Sequence, residues 1–189
     1  MEKALILVGS PRKKGSTAIL AREAERALAD SGVKTELVFL NDLKMRGCQA
    51  CYYCKKNNVA ECAVKDDMQQ IHEKMRDADG IIVASPIYFS DVTAQTKLWM
   101  DRMFPYIGMD LSPKLPSSKK VSFIFTQNQP DAAMFDRPIR VFMYVVGLTG
   151  LGVKDHMVAY DLDAGYKPPV TDHKNFMDAA YDIGRNLLR

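Results

Sequence analysis

The stretch "KALILVGSPRKKGST", Lys3 to Thr17, carries the pattern that decides the fold. Its apolar run, Lys3–Gly9, is typical of a strand that is buried on both faces of a sheet. The polar loop that follows leads into an amphipathic segment, for which Ser16 or Thr17 is the predicted cap and Gly32 the predicted end. A buried strand, a polar loop and a helix in this order predict the first unit of a parallel α/β sheet.

The same alternation of strand and helix continues along the rest of the chain. Four further apolar runs predict strands at Val33–Leu40, Ile81–Ser90, Lys119–Gln129 and Val153–Tyr160. Four further amphipathic segments predict helices at Lys65–Gly80, Asp91–Phe104, Asp136–Gly150 and Thr171–Leu188. Five strands that alternate with five helices predict a doubly wound parallel sheet, in which ligands bind outside the carboxyl ends of the strands.

The composition limits the class of protein. The 189 residues are 47% hydrophobic and 26% charged, which is ordinary for a globular protein, and we expect a single domain over residues 1–189. A net charge of +3 is too small to indicate binding to nucleic acid. No stretch approaches the roughly 20 apolar residues of a membrane span, and the N-terminus lacks the pattern of a signal peptide. We therefore expect a cytoplasmic protein that does not bind membranes.

The loop after the first predicted strand has the features of an anion site. It combines hydroxyl groups and basic side chains with a helix N-terminus, whose dipole and free N–H groups favour negative charge. The candidate binding residues are Ser10, Arg12, Lys14, Gly15, Ser16 and Thr17. Its basic side chains suit a terminal phosphate, since arginine offers a planar fork of donors. The loop is neither a Walker A motif nor the G-x-G-x-x-G motif, so a dinucleotide pyrophosphate is disfavoured. A polar turn with solvated charges is the alternative.

The loops after the third and fourth predicted strands supply aromatic and amide groups. The sequence "SPIYF" places a rigid proline and two aromatic side chains at the carboxyl end of a strand, where they suit contact with a planar ring. The sequence "TQNQ" adds donors on the neighbouring strand. The candidate ring contacts are Pro86, Ile87, Tyr88, Phe89, Thr126 and Gln127. Packing of the aromatic side chains within the protein is the alternative.

All the cysteines of the chain, Cys48, Cys51, Cys54 and Cys62, lie in a loop of about residues 44–66 that follows the second predicted strand. Their spacing, C-x2-C-x2-C-x7-C, is similar to the bacterial ferredoxin run that binds a [4Fe–4S] cluster, although the last gap is longer. Zinc usually takes two separate C-x2-C arms or histidines, and a reducing compartment disfavours disulfides. A [4Fe–4S] cluster is favoured, and a zinc ion or free thiols remain as alternatives.

Taken together, these motifs resemble those of the flavodoxin-like NAD(P)H-dependent FMN reductases, and especially of their iron–sulfur flavoprotein branch. The sequence "GSPRKKGST" resembles the phosphate loop of that family, "SPIYF" its isoalloxazine loop, and "CQACYYCKKNNVAECAVKDDM" its compact cysteine motif. One departure is Ser16, where many relatives carry asparagine. The resemblance covers nearly the whole chain in order.

The resemblance implies a flavodoxin-like five-stranded sheet of order 2-1-3-4-5, with the cysteine-rich insertion after strand two. It also implies FMN as the cofactor, with the phosphate on Ser10, Arg12, Ser16 and Thr17 and the ring on Pro86, Ile87, Tyr88 and Phe89. Thr126 and Gln127 would line the remaining side of the ring. Members of the family form homodimers or homotetramers, which we expect here as well.

The leading functional hypothesis is an FMN-dependent oxidoreductase. It would pass electrons from NAD(P)H or a ferredoxin-like donor to a small acceptor such as a quinone, with the cluster as an intermediate carrier if the cysteines bind one. The alternatives are a non-enzymatic electron carrier and a sensor based on thiols or a bound metal. His72, His156 and His173 are scattered, form no nucleophile set, and are expected to be surface or core histidines.

Overall fold

The computed structural model describes residues 1–162 and 165–189. Its strands are β1 (Lys3–Val8), β2 (Lys34–Phe39), β3 (Gly80–Tyr88), β4 (Asp91–Val92), β5 (Lys120–Thr126) and β6 (Gly152–Ala159). The five longer strands lie parallel in the order β2-β1-β3-β5-β6, and β4 pairs with β3 outside this path. Counted among themselves, the five parallel strands have the order 2-1-3-4-5. The predicted flavodoxin-like doubly wound fold is confirmed.

The short strand β4 was not predicted, and it explains why the expected helix over Asp91–Phe104 begins later, at Ala94. β4 pairs antiparallel with the end of β3. Phe89 and Ser90 turn the chain between the two strands with positive φ angles of 50° and 72°. Thr93 then caps the helix through its side-chain oxygen, so the hairpin and the cap together fix where the helix starts.

The helices are α1 (Ser16–Asp30), α2 (Tyr53–Lys56), α3 (Met68–Asp77), α4 (Ala94–Asp101), α5 (Asp136–Gly147) and α6 (Lys174–Asn186). Single 3₁₀ turns occur at Leu40–Asp42, Phe104–Tyr106 and Val170–Asp172, and the last of these explains why α6 starts later than its predicted start at Thr171. The one-turn helix α2 lies in the cysteine segment and was not predicted. No helix in the described part of the chain is long and apolar enough to cross a membrane.

The start of α1 differs from the prediction. The capping position is Gly15, and no side chain among the described residues caps this helix, so the expected role for Ser16 or Thr17 was wrong. The hydroxyl group of Thr17 instead contacts that of Thr126 at the end of β5. The predicted end of the helix is confirmed, because Gly32 follows it with a φ of 77°, a conformation that glycine adopts without strain.

Both faces of the sheet are covered by helices, as the buried strands require. Helices α1 and α6 pack on one face, where Leu20 is fully buried. Helices α3, α4 and α5 pack on the other face, where Trp99 and Phe142 are buried. A Cβ atom on Gly184 would lie 2.2 Å from the backbone oxygen of Ala24, so a glycine permits the close approach of α6 to α1. These layers hold the carboxyl ends of the strands in fixed positions, which is where the candidate site lies.

Candidate functional site

A cavity of about 470 Å³ opens at the carboxyl ends of β1, β3 and β5. Its volume is within the range of about 300–1,000 Å³ that is typical of small-molecule sites. The lining residues are Ser10, Arg12, Gly15, Ser16, Thr17, Pro86, Ile87, Tyr88, Phe89, Thr126, Gln127, Asn128 and Leu162. The structure therefore brings all the predicted FMN-site residues except Lys14 together around one cavity.

Lys14, the remaining predicted residue, lies beside this cavity. Its exposed side chain lines a neighbouring cavity of about 290 Å³ that also includes Arg12 and Lys167. Asn128 and Leu162 line the main cavity but were missed. Because Leu162 follows β6, the rule that ligands bind at the carboxyl ends of strands could have found it.

The loop from Ser10 to Gly15 is folded back on itself by short-range hydrogen bonds. The hydroxyl oxygen of Ser10 accepts a hydrogen bond from the N–H of Arg12 at 3.2 Å, and the backbone oxygen of Arg12 accepts one from the N–H of Gly15 at 3.1 Å. The N-terminus of α1 faces no capping side chain among the described residues. Its free N–H groups and its dipole, with Arg12 nearby, suit an anionic group in the cavity.

A buried pair of hydroxyl groups joins this loop to the end of β5. The Oγ1 atoms of Thr17 and Thr126 lie 2.7 Å apart, and both side chains are buried. The contact fixes the first turn of α1 relative to the loop that carries Gln127. Two of the three predicted loops are thus held together without any ligand.

A second buried network joins the hairpin at the end of β3 to the loop after β1. The hydroxyl group of Thr93 donates to the backbone oxygen of Gly9 at 2.8 Å, and Thr96 donates to the hydroxyl oxygen of Ser85 at 3.2 Å. A Cβ atom on Gly9 would lie only 1.8 Å from Oγ1 of Thr96, so no other residue fits there without a shift. The start of α4 therefore fixes the ends of β1 and β3 together.

The tip of the hairpin between β3 and β4 presents aromatic side chains to solvent. Tyr88 is exposed, and Phe89 is fully exposed even though it occupies the left-handed region with a φ of 50°. That region is unfavourable for a bulky residue and is usually kept only where the surroundings or the function require it. The packing role that was the alternative for these aromatics does not apply to the side chain of Phe89.

Gln127, which lines the cavity, has a buried polar atom without a partner among the described residues. Its side-chain nitrogen donates to the backbone oxygen of Asp131 at 2.7 Å, while Oε1 is buried and has no partner within the described residues. Such an atom is costly unless a ligand or water satisfies it. A planar heterocycle with N–H groups meets this need, so the residues that line the cavity fit FMN.

The four cysteines line one small cavity. Cys54 is buried, Cys62 is half-buried, and Cys48 and Cys51 are exposed. All four line one cavity of about 20 Å³, which has room for about one water molecule. No group of three or more histidine, cysteine, aspartate or glutamate side chains in the described ranges is close enough to hold a metal ion. Four thiols around one cavity are the donor set of an iron–sulfur cluster, and the loop would have to widen to accept one.

The backbone of the cysteine loop has an irregular path. Ala50, Tyr52 and Asn58 have positive φ angles of 48°, 58° and 50°. Residues other than glycine adopt this conformation at a cost, which a functional loop can retain when its surroundings hold it. Burial raises the pKa of the Cys54 thiol in this loop, with a smaller opposing influence from the ammonium group of Lys55.

The two lysines that follow Cys54 have different environments. Lys56 is exposed, whereas Lys55 is buried. The Nζ of Lys55 donates to the backbone oxygens of Phe104, at 2.6 Å, and Ile107, and it lies 3.8 Å from the centre of the Phe104 ring. Desolvation lowers the pKa of Lys55. Lys55 therefore ties the cysteine loop to the segment after α4.

The two ends of the cysteine loop are joined by Arg102, which sequence reasoning missed. Its Nη1 donates to the backbone oxygen of Arg46 at 2.8 Å and to Oδ2 of Asp66 at 2.7 Å, and its Nη2 donates to the backbone oxygen of Val64 at 3.1 Å. Asp66 also accepts a hydrogen bond from the N–H of Arg46 at 2.9 Å. We call Arg46, Val64 and Asp66 the loop neck. Sequence reasoning missed Arg102 because it lies in the predicted amphipathic helix Asp91–Phe104, where nothing in the pattern indicates that this charged residue is buried.

The pKa values of Asp66 and Arg102 reflect both the burial of the two side chains and the contact between them. Burial raises the pKa of Asp66, but hydrogen bonds from Arg102 and the backbone outweigh it, so the pKa lies below its usual value. Burial lowers the pKa of Arg102, but Asp66 and the nearby thiol of Cys62 outweigh that effect, so the pKa is raised. Both groups are therefore charged at neutral pH, and the pair is an ion pair.

His72 is a core histidine, in line with the expectation for the histidines. It is buried in α3, and its Nδ1 lies 2.9 Å from the hydroxyl oxygen of Tyr106. Desolvation lowers the pKa of His72 from 6.5 to about 4 and raises the pKa of Tyr106 to about 12. Both side chains are neutral at pH 7.

The structure is similar to those of several proteins named as oxidoreductases. A NAD(P)H:quinone oxidoreductase from Methanothermobacter marburgensis matches with a TM-score of 0.77 at 18% identity, over 100% of this chain and 98% of that protein. An FMN-dependent NADH-azoreductase from Bacillus anthracis, solved with FMN, matches with a TM-score of 0.72 at 11% identity, over the full length of both chains. At these identities the comparisons establish the fold, which is that of the flavodoxin-like class.

Sequence comparison gives the family. The model of the family "NADPH-dependent FMN reductase" matches residues 2–158. An iron–sulfur flavoprotein of Methanocaldococcus jannaschii is 43% identical over 186 residues, which cover 98% of this chain and 93% of that protein. An iron–sulfur flavoprotein of Methanosarcina thermophila is 39% identical over 94 residues, about half of each chain. The chain belongs to the NADPH-dependent FMN reductase family. Within that family it falls in the iron–sulfur flavoprotein branch, and it is an oxidoreductase.

Proposed function

We propose that this chain is a single-domain FMN-dependent oxidoreductase that transfers electrons from NAD(P)H or a ferredoxin-like donor to a small acceptor such as a quinone. The observation that carries the proposal is the cavity at the carboxyl ends of the strands, which gathers a helix N-terminus, an aromatic loop and the side chain of Gln127. The family supports FMN as the cofactor.

The parts of the cavity have separate roles in this proposal. Ser10, Arg12, Ser16 and Thr17 would bind the phosphate of FMN with the N-terminus of α1. The segment Pro86–Phe89 and the loop at Thr126 and Gln127 would hold the ring between them. Bound FMN would accept electrons in pairs and release them singly. The protein would orient the ring, satisfy its polar edge and exclude water from one of its faces.

The cysteines are proposed to hold a [4Fe–4S] cluster, which would carry single electrons to or from the flavin. Two features support this: the four thiols line one cavity, and two buried cations, Lys55 and Arg102, lie beside them. Positive charge lessens the electrostatic cost of a cluster with four thiolate ligands. Free thiols and such a cluster both fit a reducing compartment, and we propose the cytoplasm as the place of action.

An oligomer is also proposed, a homodimer or a homotetramer. Its support is the set of large apolar side chains that the single chain exposes, among them Phe89, Met134, Val141 and Tyr144. Light scattering on the pure protein tests this proposal, and a monomer at micromolar concentration would contradict it.

The decisive experiment is anaerobic purification followed by flavin, iron and sulfide analysis and an assay with NADH or NADPH and a quinone. We expect FMN to bind at micromolar concentration or tighter, and turnover to exceed that of free FMN. Failure of the folded protein to bind FMN would overturn the proposal. FMN binding without turnover would favour an electron carrier, and flavin without iron would remove the cluster.

A further inference from the structure

Arg102 occupies an unusual position for a charged residue. It follows α4 directly, its side chain is fully buried, and it lines the same small cavity as the four cysteines. Two of its nitrogens, Nη1 and Nη2, are fully used at the loop neck. Its Nε is buried and finds no acceptor in the described parts of the chain. A buried donor on a permanent charge is costly when it is unpaired. Cys62 is the thiol that lies near this guanidinium group, so electron-rich sulfur is the acceptor that suits the position.

The loop neck gives Arg102 a second role. Arg46 precedes the first cysteine, Val64 and Asp66 follow the last, and one guanidinium group binds all three. Gln69 supports the same end of the loop by donating to the backbone oxygens of Cys62, at 2.9 Å, and Val64, at 2.7 Å. The ends of the loop are therefore fixed while its exposed part, with Cys48 and Cys51, remains open to solvent.

We propose that Arg102 is a positioning residue for the cysteine-bound cluster: Nη1 and Nη2 close the loop neck, and Nε with the positive charge stabilises the electron-rich sulfur of the cluster site. The inference rests on the proposed [4Fe–4S] cluster. Hydrogen bonds and positive charge near cluster sulfurs raise the reduction potential, because reduction adds one negative charge. Asp66 acts in the opposite direction by partly neutralising Arg102.

The proposal predicts changes of opposite sign for the two members of the ion pair. Arg102→Gln removes a positive charge and lowers the potential of the cluster, by about 59 mV if the one-electron equilibrium changes tenfold. Asp66→Asn leaves the guanidinium without its counter-charge and raises the potential. Arg102→Lys keeps the charge but loses the Nε donor and cannot bind the whole neck, so its potential should fall by less than that of Arg102→Gln while its iron content falls.

The experiment is an anaerobic redox titration of the reconstituted proteins, followed by the spectrum of the reduced cluster, with iron and sulfide counted per chain. Arg26→Gln and Asp30→Asn are matched controls, because they make the same charge changes in an exposed pair on α1, on the opposite face of the sheet. The controls should leave the potential unchanged. Circular dichroism of each variant confirms that it is folded, and Arg102→Lys and Asp66→Asn carry the test if Arg102→Gln does not fold.

The outcomes separate this inference from the proposed function. If the wild type binds FMN but takes up no iron or sulfide, the cluster and this inference both fall. If the wild type loads a cluster, but Arg102→Gln and Asp66→Asn leave the potential unchanged or shift it in the same direction, only the inference falls. Asp66→Asn with a potential at or below that of the wild type overturns it even if Arg102→Gln does not fold.

Discussion

The hydroxyl oxygens of Thr17 and Thr126 lie 2.7 Å apart in the interior, although 109 residues separate them in the chain. Thr17 lies in the first turn of α1, and Thr126 is the last residue of β5. The pair thus connects the loop proposed to bind phosphate to the loop proposed to line the flavin ring. Substitutions of the two residues should therefore have coupled effects on FMN binding.

Thr17→Val and Thr126→Val should each weaken FMN binding by about twofold to tenfold, because a net hydrogen bond contributes about 0.5–1.5 kcal/mol. The double variant should lose less than the sum of the two single variants, since both break the same contact. Fluorescence titration of FMN measures the three dissociation constants. Thr35→Val in β2 is the control and should bind normally; additive losses would show that the two hydroxyls act separately.

Gln127→Leu should weaken FMN binding by about tenfold, which corresponds to about 1.4 kcal/mol. The substitution removes the buried Oε1 that is proposed to accept a hydrogen bond from the flavin. It also removes the nitrogen that donates to the backbone oxygen of Asp131, so the free energy of unfolding of the apoprotein should fall by about 0.5–1.5 kcal/mol. Calorimetric titration and thermal melts of the apoprotein measure the two effects. Gln129→Leu in the same loop is the matched control. Equal FMN affinity in the wild type and Gln127→Leu would remove Gln127 from the site.

Phe89→Gly and Ser90→Gly should both relieve a strained backbone, since both residues have positive φ angles. Each is expected to raise the free energy of unfolding of the apoprotein by up to about 1 kcal/mol. Only Phe89→Gly also removes an aromatic ring, so only this variant should bind FMN more weakly. Urea denaturation and FMN titration separate the two effects, and equal FMN binding in both variants would mean that the ring of Phe89 does not touch the flavin.

Lys55→Gln should lower the free energy of unfolding by about 1–3 kcal/mol, because backbone oxygens of Phe104 and Ile107 lose a charged donor in a buried place. Lys56→Gln makes the same change next to it at an exposed position and should have an effect within about 0.5 kcal/mol. Urea denaturation of the apoproteins gives both values. Similar values for the two variants would argue against the buried position of Lys55.

Stability should fall as the pH is lowered from 6.5 to 4, because His72 is buried as a neutral side chain. The unfolded chain binds a proton at the ordinary pKa of 6.5, whereas the folded chain does so only near about 4. The stability is therefore complete above pH 6.5 and decreases by up to about 3 kcal/mol across this window. His72→Gln should flatten the curve in urea denaturation at several pH values. His156→Gln, at an exposed site, should leave it unchanged.

Most of the fold and of the flavin cavity could be predicted because their signals are local. The buried run Lys3–Gly9 and the polar loop after it define the first unit, and the ends of parallel strands necessarily meet at one edge of a sheet. Leu162 obeys the same rule at the end of β6 and was missed only because its side chain is apolar. The strand β4 was missed because two residues give no periodic signal.

Other features could not be predicted because they depend on distant partners. Lys55 and Lys56 are identical in type and adjacent in sequence, and only the fold places the Nζ of Lys55 over the ring of Phe104. Thr17 was expected to cap α1, but a residue at the end of β5 takes its hydroxyl group. Arg102 reads as a surface residue of an amphipathic helix until the ends of the cysteine loop are placed around it.

The helix α4 has a consequence for the distance over which electrons would travel. Thr93, at its start, holds the loops of the flavin cavity, and Arg102, just after its end, holds the neck of the cysteine loop. Its eight residues set a spacer of about 12 Å that a rigid helix cannot stretch. Inserting a single residue would rotate Arg102 by about 100° away from its partners. The separation between the flavin cavity and the neck of the cysteine loop is thus set by the length of one helix.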